Sequence, residues 1–149
     1  MSLLNPPEVK PEKSHAMAIT LVAVFIALVV VLYFAFRYYP EKKAAEHFLD
    51  ALVAGETDKA YAMWKPSANY KMNDFLSDWG PQGYYGPIKS YKIMGAKAPQ
   101  KSTSVEVVIA ISPFATFPDS SDADKSRKTK DVHLWVQPSD KSFSFPPDL

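Results

Sequence analysis

The sequence predicts an α+β protein: one N-terminal transmembrane helix, then a small domain of about three helices packed on one face of an antiparallel sheet of about four strands. Three observations predict it. An uncharged apolar run fills the chain between His15 and Arg37. Apolar residues then recur at helical spacing as far as Trp79. Beyond Gly86-Pro87 the apolar period drops to two, the period of strands. Helices and then strands, segregated along the chain, give an α+β layout.

The apolar run, Ala16 to Phe36, contains a single weakly polar residue, Thr20. As a helix it spans roughly 30 Å, the thickness of bilayer hydrocarbon. Tyr33, Phe34, Phe36, Tyr38 and Tyr39 crowd its C-terminal end, the placement of an interfacial aromatic belt. A cleaved signal peptide has a shorter apolar stretch that ends in small residues. Here Arg37-Tyr38-Tyr39-Pro40 follows instead, so the run reads as an uncleaved anchor over residues 16–39. The flanking cations balance, with Lys10, Lys13 and the terminal amine on one side and Arg37, Lys42 and Lys43 on the other, so charge gives no orientation. Residues 1–15, with three prolines and charges of both signs, read as an extended tail.

Residues 41–149 form the soluble domain. Ala45, Phe48, Leu49, Leu52 and Val53 share one face of a first helix, closed by Gly55. Thr57 is placed to cap a second helix carrying Tyr61 and Trp64, which Pro66 stops. Met72, Phe75, Leu76 and Trp79 repeat the spacing in a third, and Gly80–Pro87 is a turn-rich loop. Strands follow over residues 88–96, 103–112, 131–137 and 142–145. In the second, Val105, Val107, Ile109 and Ile111 alternate with Glu106, Val108, Ala110 and Ser112; in the third, Val132, Leu134 and Val136 alternate with His133, Trp135 and Gln137. Phe48, Leu52, Phe75, Val107 and Leu134 are the predicted core.

Composition excludes several functions. The chain has 17 Lys and Arg against 16 Asp and Glu; subtracting Lys10, Lys13, Arg37, Glu8 and Glu12 leaves 14 of each beyond Pro40. A neutral domain has no footprint for nucleic acid. With no cysteine there is no disulfide, thiolate metal site or cysteine nucleophile. His15, His47 and His133 are isolated and match no metal-binding spacing, and no cofactor is expected. The acidic run Asp119 to Asp124 fails as a calcium loop, because Arg127 stands where glycine must turn and His133 where a bidentate glutamate is required. Asp119 to Asp131 reads as a solvated hairpin loop. Gly80–Gly86 follows a helix rather than opening one, so it is no nucleotide loop. The expectation is a protein that is not an enzyme.

Two candidate surfaces remain. If the Val105 and Val132 faces look toward the helices, alternation turns Val108, Ala110 and Trp135, with His133 beside them, to the other side of the sheet. An aromatic residue among aliphatic neighbours is the composition of a partner-contact surface. Tyr61, Trp64, Trp79, Tyr84 and Tyr85 are a second set, which either lines a pocket for a small apolar ligand or fills the core.

The domain resembles the nuclear-transport-factor-like, cystatin-type α+β superfamily. The likeness rests on Ala44-Ala45-x-x-Phe48-Leu49-x-Ala51-Leu52, Gly55-x-x-Asp58-x-Ala60-Tyr61 and Gly86-Pro-Ile-Lys-Ser-Tyr91, with a final strand pair around Leu134-Trp-Val136 and Phe143. Enzymes of that superfamily usually place His and Asp in a cone-shaped pocket, a pairing not visible here. An anchor joined to such a domain is also similar to cytochrome oxidase assembly-type membrane proteins. That resemblance implies an accessory or assembly subunit of a larger membrane complex, such as a respiratory one, other membrane-protein subunits as partners, and an extracytoplasmic domain.

Overall fold

The computed structural model describes residues 15–145; the expected tail lies almost wholly outside them. The chain divides into two units, Met1–Arg37 and Tyr38–Leu149. The described part of the first is helix α1, His15–Phe36. Its 22 residues extend roughly 33 Å, and none of its side chains is buried. It is long and apolar enough to cross a membrane. The helix stops at Phe36, three residues short of the expected end.

The second unit is α+β. Helix α2 (Tyr39–Val53) starts with Pro40 in its first turn, where the missing N–H costs no intrahelical bond. Ala45, Phe48, Leu49 and Ala51 are buried on it. Val53, expected on this face, is 41% exposed, and Leu52 is only partly buried. At about 100° per residue the buried arc is turned toward Ala51, which leaves Val53 outside it. Gly55, at φ 77°, reverses the chain where a side chain would be strained. Helix α3 (Thr57–Trp64) has Glu56, not Thr57, at its N-cap position, and ends on Lys65 in the left-handed conformation. Helix α4 (Met72–Trp79) is capped by Asp74, whose carboxylate accepts the Lys71 N–H at 2.9 Å. It buries Phe75 and Trp79, whereas Leu76 is 38% exposed, because an eight-residue helix buries a narrow i, i+4 stripe. The loop after it folds back on α4 through Tyr84 N–H to Ser77 O and Tyr85 N–H to Asp78 O, at 2.9 and 2.8 Å. A Cβ on Gly86 would lie 1.9 Å from the Gly80 carbonyl oxygen, so only glycine fits there.

Strands β1 (Ser90–Lys97), β2 (Val105–Ser112), β3 (Lys130–Val136) and β4 (Phe143–Ser144) form one antiparallel sheet in chain order. A bulge between Ile93 and Gly95 shifts the β1 register. The stretch expected as a solvated hairpin loop contains one helical turn, α5 (Ala123–Ser126). There Asp122 accepts the Lys125 N–H at 3.2 Å and pairs with the Lys125 ammonium at 2.9 Å.

One cluster forms the core. Val105, Val107, Ile109, Ile111, Val132, Leu134 and Val136 are all at most 5% exposed and join Phe48, Leu49, Trp64, Phe75 and Trp79 in it. Helix α2 touches β1, β2 and β3, and the Tyr91 hydroxyl donates to Asp50 Oδ1 at 2.6 Å. Phe48 is the hub: its ring centroid lies 5.5 Å from Trp64, 6.2 Å from Phe75, 5.2 Å from Trp79 and 5.0 Å from Phe143. Beneath the start of α2, Glu41 is a buried carboxylate held by the Lys141 ammonium at 2.8 Å.

Candidate functional site

The register places the partner-contact candidates on one face. Val108 stands opposite His133, Ala110 opposite Asp131, and Glu106 opposite Trp135. With Val107, Leu134 and Val132 directed into the core, alternation sends these residues to the second side of the sheet. Their exposures differ from the expectation of an open apolar patch. Ala110 is buried at 7%, Val108 and Trp135 are half-buried, and His133 is exposed. The Trp135 indole N–H is enclosed and has no hydrogen-bond partner. Trp135 is therefore an indole already packed on the sheet, not a projecting anchor.

Beside it lies a polar group that the sequence did not assemble. Glu106 accepts from Lys97 Nζ at 3.2 Å and lies 2.5 Å from His133 Nδ1. Burial raises the Glu106 pKa, but the hydrogen bonds from His133 and Lys97 outweigh that and hold it below its ordinary value of 4.5. Glu106 and His133 are diagonal neighbours in the antiparallel register, close enough for long side chains to meet. A carboxylate that orients an imidazole is two parts of a base-catalysed constellation. The third part, a nucleophile on the imidazole, is not among its hydrogen bonds within the described residues. No group of three or more His, Cys, Asp or Glu that could hold a metal ion occurs among the described residues.

The depressed Glu106 pKa gives a pH prediction. A carboxyl whose folded pKa is lowered stabilises the fold above its unfolded pKa and loses that contribution as pH falls through the folded value. The stability of the chain should therefore drop as pH goes below about 4.5. Glu106→Gln should remove part of that acid slope in an unfolding series. An unchanged slope would show that the network carries no proton linkage.

The pocket candidates are brought together, but ring against ring. Trp64 and Trp79 are 5% and 3% exposed. Tyr85 stacks on Trp79 at 4.7 Å, and Phe145 stacks on both Trp79 and Tyr85 at 6.0 and 5.9 Å. Tyr61 packs edge-on to Phe75 at 5.4 Å and donates its hydroxyl to Tyr70 O at 3.0 Å. The Tyr70 hydroxyl in turn donates to Asp78 at 2.6 Å, and burial followed by that bond raises its pKa beyond the tyrosine range. Rings packed in this way fill space rather than line it. Tyr84 is 70% exposed, packed edge-on to Tyr85 at 4.9 Å and with the Lys130 ammonium 5.0 Å from its ring centre. Tyr85 borders a cavity of about 180 Å³ shared with Ile111, Lys128 and Lys130. A larger groove, of about 350 Å³, lies elsewhere, along α2, α3 and the turn before β4.

No family model, curated protein or solved structure matches this chain. The class stands on the architecture itself: an α+β domain with a four-stranded antiparallel sheet, preceded by one helix apolar and long enough to cross a membrane.

Proposed function

We propose that the chain is a non-enzymatic, single-pass membrane accessory or assembly subunit of a larger membrane complex, with its soluble domain as a protein-contact module. The observation that carries this reading is α1: 22 residues without one buried side chain, on a chain whose other large apolar side chains mostly lie in one core. In water such a helix exposes a continuous apolar surface, which soluble proteins do not sustain. In a bilayer the same surface is at home. The second sheet face, with Val108 and Trp135 ringed by Lys97, Glu106 and His133, supplies the contact surface. Its half-buried indole offers a rigid apolar platform and the ring of charges its register, a common division between core and rim at interfaces.

The likeness to membrane-anchored assembly proteins supports an extracytoplasmic domain, and the nuclear-transport-factor-like layout is supported by α2 lying against β1, β2 and β3. A cysteine introduced at exposed Ser120 of this cysteine-free chain reports the side. Labelling of intact cells by an impermeant maleimide is expected, and labelling only after lysis would reverse the orientation.

Purification of the full chain from native membranes in mild detergent tests the role. Larger membrane subunits in fixed stoichiometry are expected, and Trp135→Ala with Val108→Asp should lose them. Lys97→Glu, at a side chain 67% exposed, alters the same face without emptying it. Its loss of partners with unchanged unfolding assigns the face. A protein that purifies alone, or variants that keep every partner, would refute the contact module.

A further inference from the structure

We propose that the groove at the start of the domain is a binding site for the head group of an anionic phospholipid; this rests on the reading of α1 as a membrane anchor. Its lining joins three separated segments: Lys43 and Ala44 of α2, Met63 and Lys65 at the end of α3, and Lys141 and Phe143 around the start of β4. Lys65 and Lys141 both hold left-handed backbone, at φ 51° and 57°. For a residue with a side chain this conformation is strained, and strain of this kind concentrates at functional sites. Of the three described non-glycine residues with positive φ, Lys101 lies between β1 and β2, whereas Lys65 and Lys141, 76 residues apart in sequence (141 minus 65), bring both side chains into one groove.

The charges suit a phosphate. The lining carries three ammonium groups and one carboxylate, Asp140. That carboxylate is turned to Ser142, accepting its N–H at 3.0 Å and its hydroxyl at 2.7 Å. The Asp140 backbone carbonyl, by contrast, accepts from the Lys65 ammonium, and Lys141 is shared between Glu41 and the Pro138 carbonyl at 2.8 and 2.6 Å. Lys43 pairs with Glu46 at 2.6 Å, but both side chains are well exposed, so the pair opens at little cost. Free phosphate would use only the cations. Ala44, Met63 and Phe143 add an apolar floor that matches the glycerol and first methylenes of a lipid. Pro40, at the groove's edge, follows the last residue of α1 by four positions. Juxtamembrane cations of this kind attract anionic head groups.

The test places the full chain in nanodiscs with photoreactive phosphatidylglycerol or photoreactive phosphatidylcholine. The expected result is phosphatidylglycerol label concentrated on peptides covering residues 39–49, 57–65 and 137–145. Lys43→Gln with Lys65→Gln should lower it at least about fivefold. Lys43→Arg with Lys65→Arg keeps the charge and should keep the label. Equal labelling by the two lipids, label spread without preference, or no response to the glutamine pair would overturn the site. Protection by inorganic phosphate alone, at concentrations that leave the apolar floor empty, would also overturn the lipid assignment. If the glutamine pair lowers the unfolding temperature, Lys65→Gln by itself must reduce the label in the folded protein, and an undiminished label overturns the proposal. A chain retained in the disc but unlabelled fails this inference alone, whereas a chain released from the disc fails the anchor as well.

Discussion

Phe48→Ala is expected to destabilise the domain by about 3–5 kcal/mol, the range for emptying a buried aromatic site. Phe48 is fully buried, and its ring meets Trp64, Phe75, Trp79 and Phe143, which come from α3, α4 and β4. Truncation removes a ring that touches all three elements. The surrounding rings are large and mutually stacked, so they cannot collapse into the space without leaving their own contacts. Edge-to-face contacts such as Phe48 with Trp79, with an interplanar angle of 89°, add stabilisation beyond buried area. Unfolding of the full chain in detergent, followed by tryptophan fluorescence, reads the change, since two of the three tryptophans border Phe48. Leu52→Ala, at a partly buried site, should cost clearly less. Equal effects of the two changes would mean that the core is not centred on Phe48.

Removing residues 1–37 should move the protein from the membrane to the aqueous fraction while leaving the domain's unfolding transition in place. The segment Ala16 to Phe36 contains 13 Leu, Ile, Val and Phe residues. At roughly 0.3–0.6 kcal/mol each on the insertion scale, they favour the bilayer by about 4–8 kcal/mol. The division of the chain at Arg37 means that the deletion cuts no element of the domain. Fractionation after expression decides it. A truncated chain that still pellets with membranes would show that the domain carries a second membrane contact of comparable strength. A truncated chain that fails to fold would show that the first unit stabilises the second.

What the sequence made legible follows from periodicity. The strand phases of Val105–Ile111 and Val132–Val136 were readable because a two-residue period admits only two faces, and seven apolar residues selected one of them. Phe48 and Phe75 were readable for the corresponding helical reason. Val53 and Leu76 were misplaced because an apolar stripe defines an arc, and the edge of the arc is set by the partner surface rather than by the stripe. The ion pairs were not legible. Lys141 and Glu41 are 100 residues apart, and Glu106 and His133 are 27 apart. His133 and Glu106 could be assigned to one face, but their contact depends on the β2–β3 register, which the long connection through α5 leaves open in sequence. The groove was invisible for the same reason, its lining being drawn from three segments that no local pattern links. The aromatic set posed a different problem. Ring composition is the same for a filled core and an open pocket, and only the stacking distances separate them.

The central claim, that this chain is held in a membrane by its N-terminal helix, is tested most directly by alkaline carbonate extraction of native membranes combined with N-terminal sequencing. The account predicts that the protein stays in the pellet and that its mature chain still contains Ala16 to Phe36. Recovery in the supernatant, or a mature chain that begins near residue 40, would contradict it.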